Sequence, residues 1–434
     1  MLSIGLMSGT SMDGIDVALL ETNGEHLIIE HEHMNIPYLA DMTILLKSAE
    51  RAMREAAGCH AHATHHYQHA LQTYLAEELQ HESTQLKLDI KRLTHYITTT
   101  LRRRQKNTAQ LCFSDIIQLS TQLHADAVKQ LLILSNYEPA HIDVIGYHGQ
   151  TLFHQPHQKK TIQVGDGQQL ASLTGITVVN DFRRQDVEAG GQGAPFAPIY
   201  HLALATRDKK VPAVLVNCGG IANLSCMFNE HLEDLIGFDT GPGNGLLDAL
   251  IKKRTNGRES MDKNGQYGLQ GRVDEPMINL LFNTCISTKN ASSYFLKPPP
   301  KSLDIRDLHL ITALDTLSLA DASATLAAFT AETIVRSIHL LARPTHSIPT
   351  HWIIAGGGSY NPVIKRELAA RLKATFGLNT VLTTADEEGW TSHAMEAQLM
   401  AYLAVRSFKK LPLSTPGTTG VPFPLSGGTI NMYQ

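Results

Sequence analysis

Apolar residues fall into short runs from the first residues onward. Runs at 2–8, 15–21 and 27–34 read as strands, with a polar turn, Gly9-Thr10-Ser11-Met12-Asp13-Gly14, between the first two. Residues 40–137 differ: they are long, polar, almost free of Gly and Pro, and repeat apolar positions at helical spacing, as in Ile116, Ile117, Leu119, Leu123, Val128, Leu131 and Leu132. Further strands are expected at 142–147, 161–164 and 177–179, with helical turns at 168–174 and 197–206. After the charged break Asp208-Lys209-Lys210 the pattern restarts. Strands are expected at 213–216, 235–238, 352–355 and 379–383, and helices at 245–252, 321–342, 362–374 and 393–408. Twice, then, strands carrying a Gly/Asp turn lead into strand–helix alternation. A repeated β-β-β-α-β-α-β order predicts an α/β protein with two similar lobes facing a cleft. The expected division is an N-terminal lobe over 1–208 with a helical insertion at about 40–137, a C-terminal lobe over 209–392, and a C-terminal helix and tail, 393–434, packing back towards the N-terminal lobe.

Glycine turns follow strands at 9–14, 190–195, 217–223 and 356–361, each with Asn, Ser or Thr nearby. Backbone N–H groups and hydroxyls converging at such turns form anion sites, and several together fit a nucleotide clamped between lobes. The first turn is not a Walker loop, since no Gly-Lys-Ser/Thr follows, and no helix opens after it as in a dinucleotide fingerprint. It reads as the first phosphate loop of an actin-like, sugar-kinase nucleotide fold. The candidate ATP-binding residues are Gly9, Thr10, Ser11, Met12, Asp13, Gly14, Ile15, Asp16, Asn217, Gly219, Gly220, Asn223, Gly356, Gly357, Gly358 and Asn361. Asp181 ends a strand, where open α/β sheets place their sites, although Asp also caps helices. Asp239 and Asp13 could hold Mg²⁺, which takes few carboxylates besides phosphate oxygens; both could equally make Asx turns. His148 is either a substrate ligand or a satisfied structural histidine.

At 434 residues the chain is long enough for two or three domains, and 43% hydrophobic with 18% charged residues describes a globular protein. A formal net charge of −4 offers nothing to nucleic acid or an anionic membrane. No apolar run approaches the roughly 20 residues of a membrane span, and no basic segment precedes the first strand, so a signal peptide is not expected. The scattered cysteines, Cys59, Cys112, Cys218, Cys226 and Cys285, have no zinc spacing and suit a reduced, cytoplasmic protein. His62/His66 and His65/His69 have the i,i+4 spacing of a helical chelate, but His60, His62, His65, His66 and His69 have no carboxylate or thiolate to complete a site, and a solvated helix face is expected.

The stretches 5–16 (Gly-Leu-Met-Ser-Gly-Thr-Ser-Met-Asp-Gly-Ile-Asp), 146–151 (Gly-Tyr-His-Gly-Gln-Thr), 180–195, 217–225 (Asn-Cys-Gly-Gly-Ile-Ala-Asn-Leu-Ser), 237–244 (Gly-Phe-Asp-Thr-Gly-Pro-Gly-Asn) and 356–362 together resemble the anhydro-N-acetylmuramic acid kinase family over nearly the whole chain. The resemblance implies an actin-like fold with ribonuclease-H-like lobes, a cytoplasmic homodimer, ATP and Mg²⁺, and a role in recycling bacterial cell-wall sugars. It implies a reaction in which water opens 1,6-anhydro-N-acetylmuramic acid and ATP phosphorylates O6, giving N-acetylmuramic acid 6-phosphate and ADP. It also implies that Gly9 to Asp16 form the ATP-phosphate loop, that Asp181 is the catalytic base and that Glu396 is a second active-site carboxylate. His148, Gln150, Thr151, Arg183 and Gly191 become the expected sugar-binding residues, and Asp239 the expected metal residue.

The chain departs from the wider pattern at Met7, where many actin-like ATPases carry Asp, and at 301–306, where Lys-Ser-Leu-Asp-Ile-Arg replaces an expected Lys-Ser-Thr-Gly-Arg-Glu. The 40–137 region is longer than expected. One carboxylate suffices for the implied chemistry if Asp181 takes a proton from water while departing O6 attacks the γ-phosphorus. Another small-molecule kinase of the same fold, and an actin-like assembly protein that uses ATP only to change shape, remain as alternatives.

Overall fold

A computed structural model describes residues 1–9, 12–79, 112–287, 291–342 and 347–433. Its strands are β1 (Leu2–Ser8), β2 (Gly14–Thr22), β3 (Ile28–Pro37), β4 (Val144–Gln155), β5 (Lys160–Val164), β6 (Val178–Asn180), β7 (Ala213–Cys218), β8 (Ile221–Met227), β9 (Ile236–Pro242), β10 (His351–Ala355), β11 (Val381–Thr384) and β12 (Thr429–Asn431). The chain divides into two compact units: Met1–Gly193 with Ala394–Leu413 and Pro424–Gln434, and Ala194–His393 with Ser414–Phe423.

In the first unit the sheet order is β12-β6-β4-β1-β2-β3, with β5 hairpinned onto β4. β1, β2 and β3 form an antiparallel meander; β4 runs parallel to β1, and β6 parallel to β4. The second unit repeats this plan as β11-β10-β7-β8-β9, again a meander joined to two parallel strands. Two sheets of this order make an actin-like α/β fold. The expected strands all form, but β4, expected to end at Tyr147, runs on to Gln155. β8 and β12 are not among the expected strands: 217–225 reads as a glycine turn, and the short edge strand β12 carries no apolar run.

One face of the first sheet packs on the helices Phe113–Ser135 and Gly167–Thr174 around Ile4, Leu6, Ile145, Tyr147, Val128 and Leu131. The other face carries the helix Met395–Phe408, which lies close because two glycines pave the way. A Cβ on Gly5 would sit 1.8 Å from the Ala397 carbonyl, and one on Gly146 would sit 2.0 Å from that of Met400. Gly5 and Gly146 are register partners, so the sheet has a bare patch there.

The helical region contributes Ala40–Glu55 and His60–Leu79, which join Phe113–Ser135 in a cluster of their own around Leu46, Met53, Tyr67 and Phe113. Residues 80–111 of the expected insertion lie outside the described residues. In the second unit one continuous core joins β7–β10 to the helices Gly245–Arg254, Glu275–Thr284, Leu319–Ile338 and Pro362–Phe376.

Candidate active site

The first unit gathers most of the expected chemistry beyond the carboxyl ends of β1 and β6 and along the middle of β4, where His148, Gln150 and Thr151 lie. Asp181 follows β6 directly and has a left-handed backbone, φ 58°, a conformation that Asp tolerates better than most residues. Its half-buried carboxylate is 2.7 Å from Nε of Arg184, one turn further on. Loss of hydration raises its pKa above the usual carboxylate range and Glu188 adds to this, while Arg184 opposes both. A base poised in this way keeps its affinity for a proton without losing its charge to burial outright.

Glu396 stands in the first turn of Met395–Phe408, set over β1 by the bare patch at Gly5. Its pKa is also raised, first by displaced solvent and then by the like charge of Asp16, with Arg183 opposing. Asp16 accepts a 2.8 Å hydrogen bond from the Asn35 amide.

His148 is buried and fully engaged. Its Nδ1–H donates to the Gly149 carbonyl at 2.7 Å, and its Nε2 accepts from Arg183 Nε at 3.0 Å. Burial, then the Arg183 charge, pushes its pKa down to about 3, so the ring is neutral at ordinary pH. Its visible task is to aim Arg183, whose Nη1 also donates to the Gly193 carbonyl at 2.7 Å. Asp186, buried and not singled out by the sequence, accepts from Gly193 N at 2.7 Å and so braces the glycine loop, while the Gly191 amide closes on the Asp186 carbonyl. Thr151 accepts from the Gln163 amide at 3.2 Å. Gln150 is completely buried: it donates to the Gly9 carbonyl at 3.0 Å and accepts from Ser8 Oγ at 2.7 Å.

The first turn divides its residues between tasks. Thr10 and Ser11 lie outside the described residues. Met12 has φ 55° and buries its side chain beside Met42 and Leu45, so only its backbone is available to a ligand. Ile15 is a core residue. Gly14 is small for strand pairing, since a Cβ there would meet the Ile36 carbonyl at 2.7 Å. Asp13 is exposed, and its carbonyl receives the Tyr38 amide at 2.8 Å.

In the second unit three turns meet at the carboxyl ends of β7, β9 and β10, the edge where open α/β sheets bind ligands. Asn244 N donates to Gly219 O at 2.8 Å, and Gly243 N to Gly220 O at 3.0 Å. Gly356, at φ 78°, leaves room for Asn217, whose Oδ1 a Cβ would meet at 2.5 Å. A Cβ on Gly358 would run into Cys218 Sγ at 2.3 Å, and Gly357 lies beside Asn244. The turns at 219–220, 243 and 356–358 are therefore small because they touch one another. Asn223 Oδ1 is buried here without a protein partner, an acceptor left for a ligand or water. Asn361 caps the helix Pro362–Phe376, accepting from Val363 N at 2.9 Å and Ile364 N at 3.3 Å. Asp239 accepts from Leu303 N at 2.8 Å, tying β9 to the altered 301–306 stretch. Asn244 and Asp248 were not among the sequence candidates. Asp248, in the first turn of Gly245–Arg254, has its pKa pushed up to about 6 by burial and then by Asp262. Among the described residues no cluster of His, Cys, Asp or Glu forms a metal cage, and the histidines of His60–Leu79 are exposed while Ala63, Tyr67 and Ala70 face inward.

A family model described as Anhydro-N-acetylmuramic acid kinase matches residues 1–111 and 76–432. The chain is 37% identical over 431 residues to the Anhydro-N-acetylmuramic acid kinase of Nitrobacter winogradskyi, covering 99% of both chains. It is 38% identical over 431 residues to the protein of the same name from Methylobacterium nodulans, again covering 99% of both. Among solved structures it is similar to (R)-2-hydroxyglutaryl-CoA dehydratase component A of Acidaminococcus fermentans, at 9% identity and TM-score 0.42, covering 94% of this chain and 100% of that one.

Proposed function

The chain belongs to the anhydro-N-acetylmuramic acid kinase family, and from that premise we propose that it opens 1,6-anhydro-N-acetylmuramic acid with water and phosphorylates O6 from ATP, yielding N-acetylmuramic acid 6-phosphate and ADP. The observation that carries this reading beyond the family is Asp181: a carboxylate at a strand end, held in a left-handed backbone and raised in pKa without being fully buried. Asp181 accepts a proton from water as the oxygen attacks the anomeric carbon. The C1–O6 bond breaks, O6 bonds to the γ-phosphorus, and the bond to the ADP oxygen breaks; the proton on Asp181 is then lost to solvent. Arg183, aimed by His148, contacts the sugar, and Glu396 is the second carboxylate of the site. In the second unit the glycine turns 219–220, 243 and 356–358 offer backbone N–H groups to the nucleotide, and the turn after β1 in the first unit is the proposed phosphate loop.

Magnesium enters this reading as the companion of ATP. Such an ion takes few protein carboxylates and is held chiefly by phosphate oxygens and water. Asp239, its carboxylate oriented by Leu303 N, is the residue proposed to hold it. When bound, the ion spreads the charge of the transferring phosphoryl group. The same reading assigns the protein to cell-wall sugar recycling as a cytoplasmic homodimer; no described helix is long and apolar enough to cross a membrane.

The test is turnover in ¹⁸O-water. The product should carry label at its anomeric oxygen. Label found only on phosphate, or ADP released at a rate independent of the sugar, would overturn the assignment and favour an ATPase or assembly role.

A further inference from the structure

We propose that Gln150 governs nucleotide affinity without touching nucleotide or sugar, as the keystone of a hydrogen-bonded circuit that fixes both ends of the β1–β2 turn; this rests on the reading of that turn as the ATP-phosphate loop. The circuit can be traced atom by atom. Gln150 Nε2 donates to the Gly9 carbonyl at 3.0 Å, the same carbonyl that accepts Met12 N at 3.1 Å across the turn. Gln150 Oε1 accepts from Ser8 Oγ at 2.7 Å. With its proton committed there, Ser8 Oγ accepts from the Tyr38 hydroxyl at 3.1 Å. The Tyr38 backbone N–H donates to the Asp13 carbonyl at 2.8 Å, at the far side of the turn. Thr43 Oγ1 adds a 2.8 Å bond to the Met12 carbonyl from the helix Ala40–Glu55.

The geometry argues against direct ligand contact. The Gln150 side chain has no exposed surface, and each end of its amide is already paired. Its orientation is also determined: a flipped amide would set Oε1 against the Gly9 carbonyl oxygen. Tyr38 keeps its proton, since burial pushes the phenol up to about 12, so the hydroxyl remains a donor throughout the working pH range. A turn held at its Gly9, Met12 and Asp13 carbonyls has less ordering left to undergo when it meets phosphate, and that cost falls on folding rather than on binding.

The variants are Gln150→Met, which fills the space but removes both polar ends, and Tyr38→Phe and Ser8→Ala, which break the circuit further round. ADP affinity is measured by calorimetric titration without sugar. The KM for ATP and for 1,6-anhydro-N-acetylmuramic acid are then measured separately, and folding is checked by thermal melting. Gln150→Met should weaken ADP binding and raise the ATP KM on the order of tenfold, a hydrogen-bond-sized loss, with the sugar KM changed less than about twofold. Tyr38→Phe and Ser8→Ala should shift the same quantities in the same direction by less. A rise confined to the sugar KM would make Gln150 a sugar ligand and overturn the proposal, as would unchanged values for both substrates. If Gln150→Met fails to fold, the other two variants decide by the same readouts. Should the wild type bind ADP yet show no sugar-dependent turnover, the kinase reading fails while the ADP titrations still judge the circuit.

Discussion

Asp181 combines a constraint and a freedom that suit a base. The left-handed backbone fixes where its carboxylate leaves β6, and Arg184 holds one oxygen at 2.7 Å. Asp181→Asn keeps the shape but cannot accept a proton, so kcat should fall by on the order of 10²–10⁴ while ADP still binds; retention of more than about a tenth of the wild-type rate would move the role to Glu396. The pH profile gives a second check. Because the Asp181 pKa is raised, its conjugate acid persists to higher pH than an ordinary carboxyl, and the rate should fall as pH drops through that value. Arg184 opposes the rise, so Arg184→Met should move this acid limb to higher pH without removing it. An unmoved limb would mean that the limb belongs to another group, with Glu396, also raised, next in line. The sequence marks Asp181 by its place at a strand end, but nothing in it announces Arg184 or Glu188 as its electrostatic partners. Those follow from the turn into the short helix Arg184–Glu188, a matter of backbone geometry rather than periodicity.

At the scale of elements, the alternation of apolar runs and glycine turns makes most strands of both sheets legible, because a buried strand must be apolar and its exit must bend; β8, hidden in the polar Asn217–Ser225 stretch, and the short β12 do not show this signal. The reasons for individual glycines were less legible. Gly5 and Gly146 look like ordinary strand residues until the helix Met395–Phe408 is laid across them, and Gly14 lets β2 lie close to β3, which the sequence does not show. Asn361 caps the helix Pro362–Phe376, a task that its place in a glycine turn does not announce. Such roles depend on which elements touch, which local pattern does not encode. The bare patch yields a prediction: Gly146→Ala inserts a methyl where the Met400 carbonyl lies 2.0 Å away. It should cost about 1–3 kcal/mol of stability, the range for overpacking, and should disturb Glu396 by lifting its helix. A melting temperature equal to the wild type would mean that helix and sheet part without strain. By contrast, His62, His65, His66 and His69 lie on the exposed side of His60–Leu79, so replacing all four with Gln should change stability by no more than ordinary surface substitutions, about 0.5 kcal/mol each. A tenfold loss of activity restored by zinc would instead reveal a metal site.

Across the whole molecule, buried neutral histidines link stability to pH. His124 donates from Nδ1 to the Ser120 carbonyl at 2.7 Å, and its Nε2 is buried without a partner beside the Tyr147 ring. His148 is engaged at both nitrogens, and His201 pairs with Ser225 Oγ at 2.7 Å in the second unit. Burial pushes their pKa values from 6.5 down to about 4, about 3 and about 3. The sign follows from proton counting. Above pH 6.5 neither folded nor unfolded chain holds the proton; below it the unfolded chain takes one that the fold refuses, and stability falls until the folded pKa is reached. Asp248 pulls the other way, since its raised pKa of about 6 relieves a buried charge on acidification. The net slope of the wild type therefore mixes opposing groups, and a difference measurement isolates one of them. His124→Leu removes a titrating ring and its unpaired nitrogen together. Between pH 7.5 and pH 5.5, the unfolding free energy of the variant relative to wild type, from urea titrations, should shift in favour of the variant by about 1.4 kcal/mol. The shift should be negligible between pH 7.5 and pH 8.5, where the ring is neutral in both states. A difference that stays constant down to pH 5.5 would mean that His124 takes up its proton in the folded chain as readily as in the unfolded one, and that the polar pocket formed by Ser120, Tyr147 and His124 is hydrated well enough to hold an imidazolium.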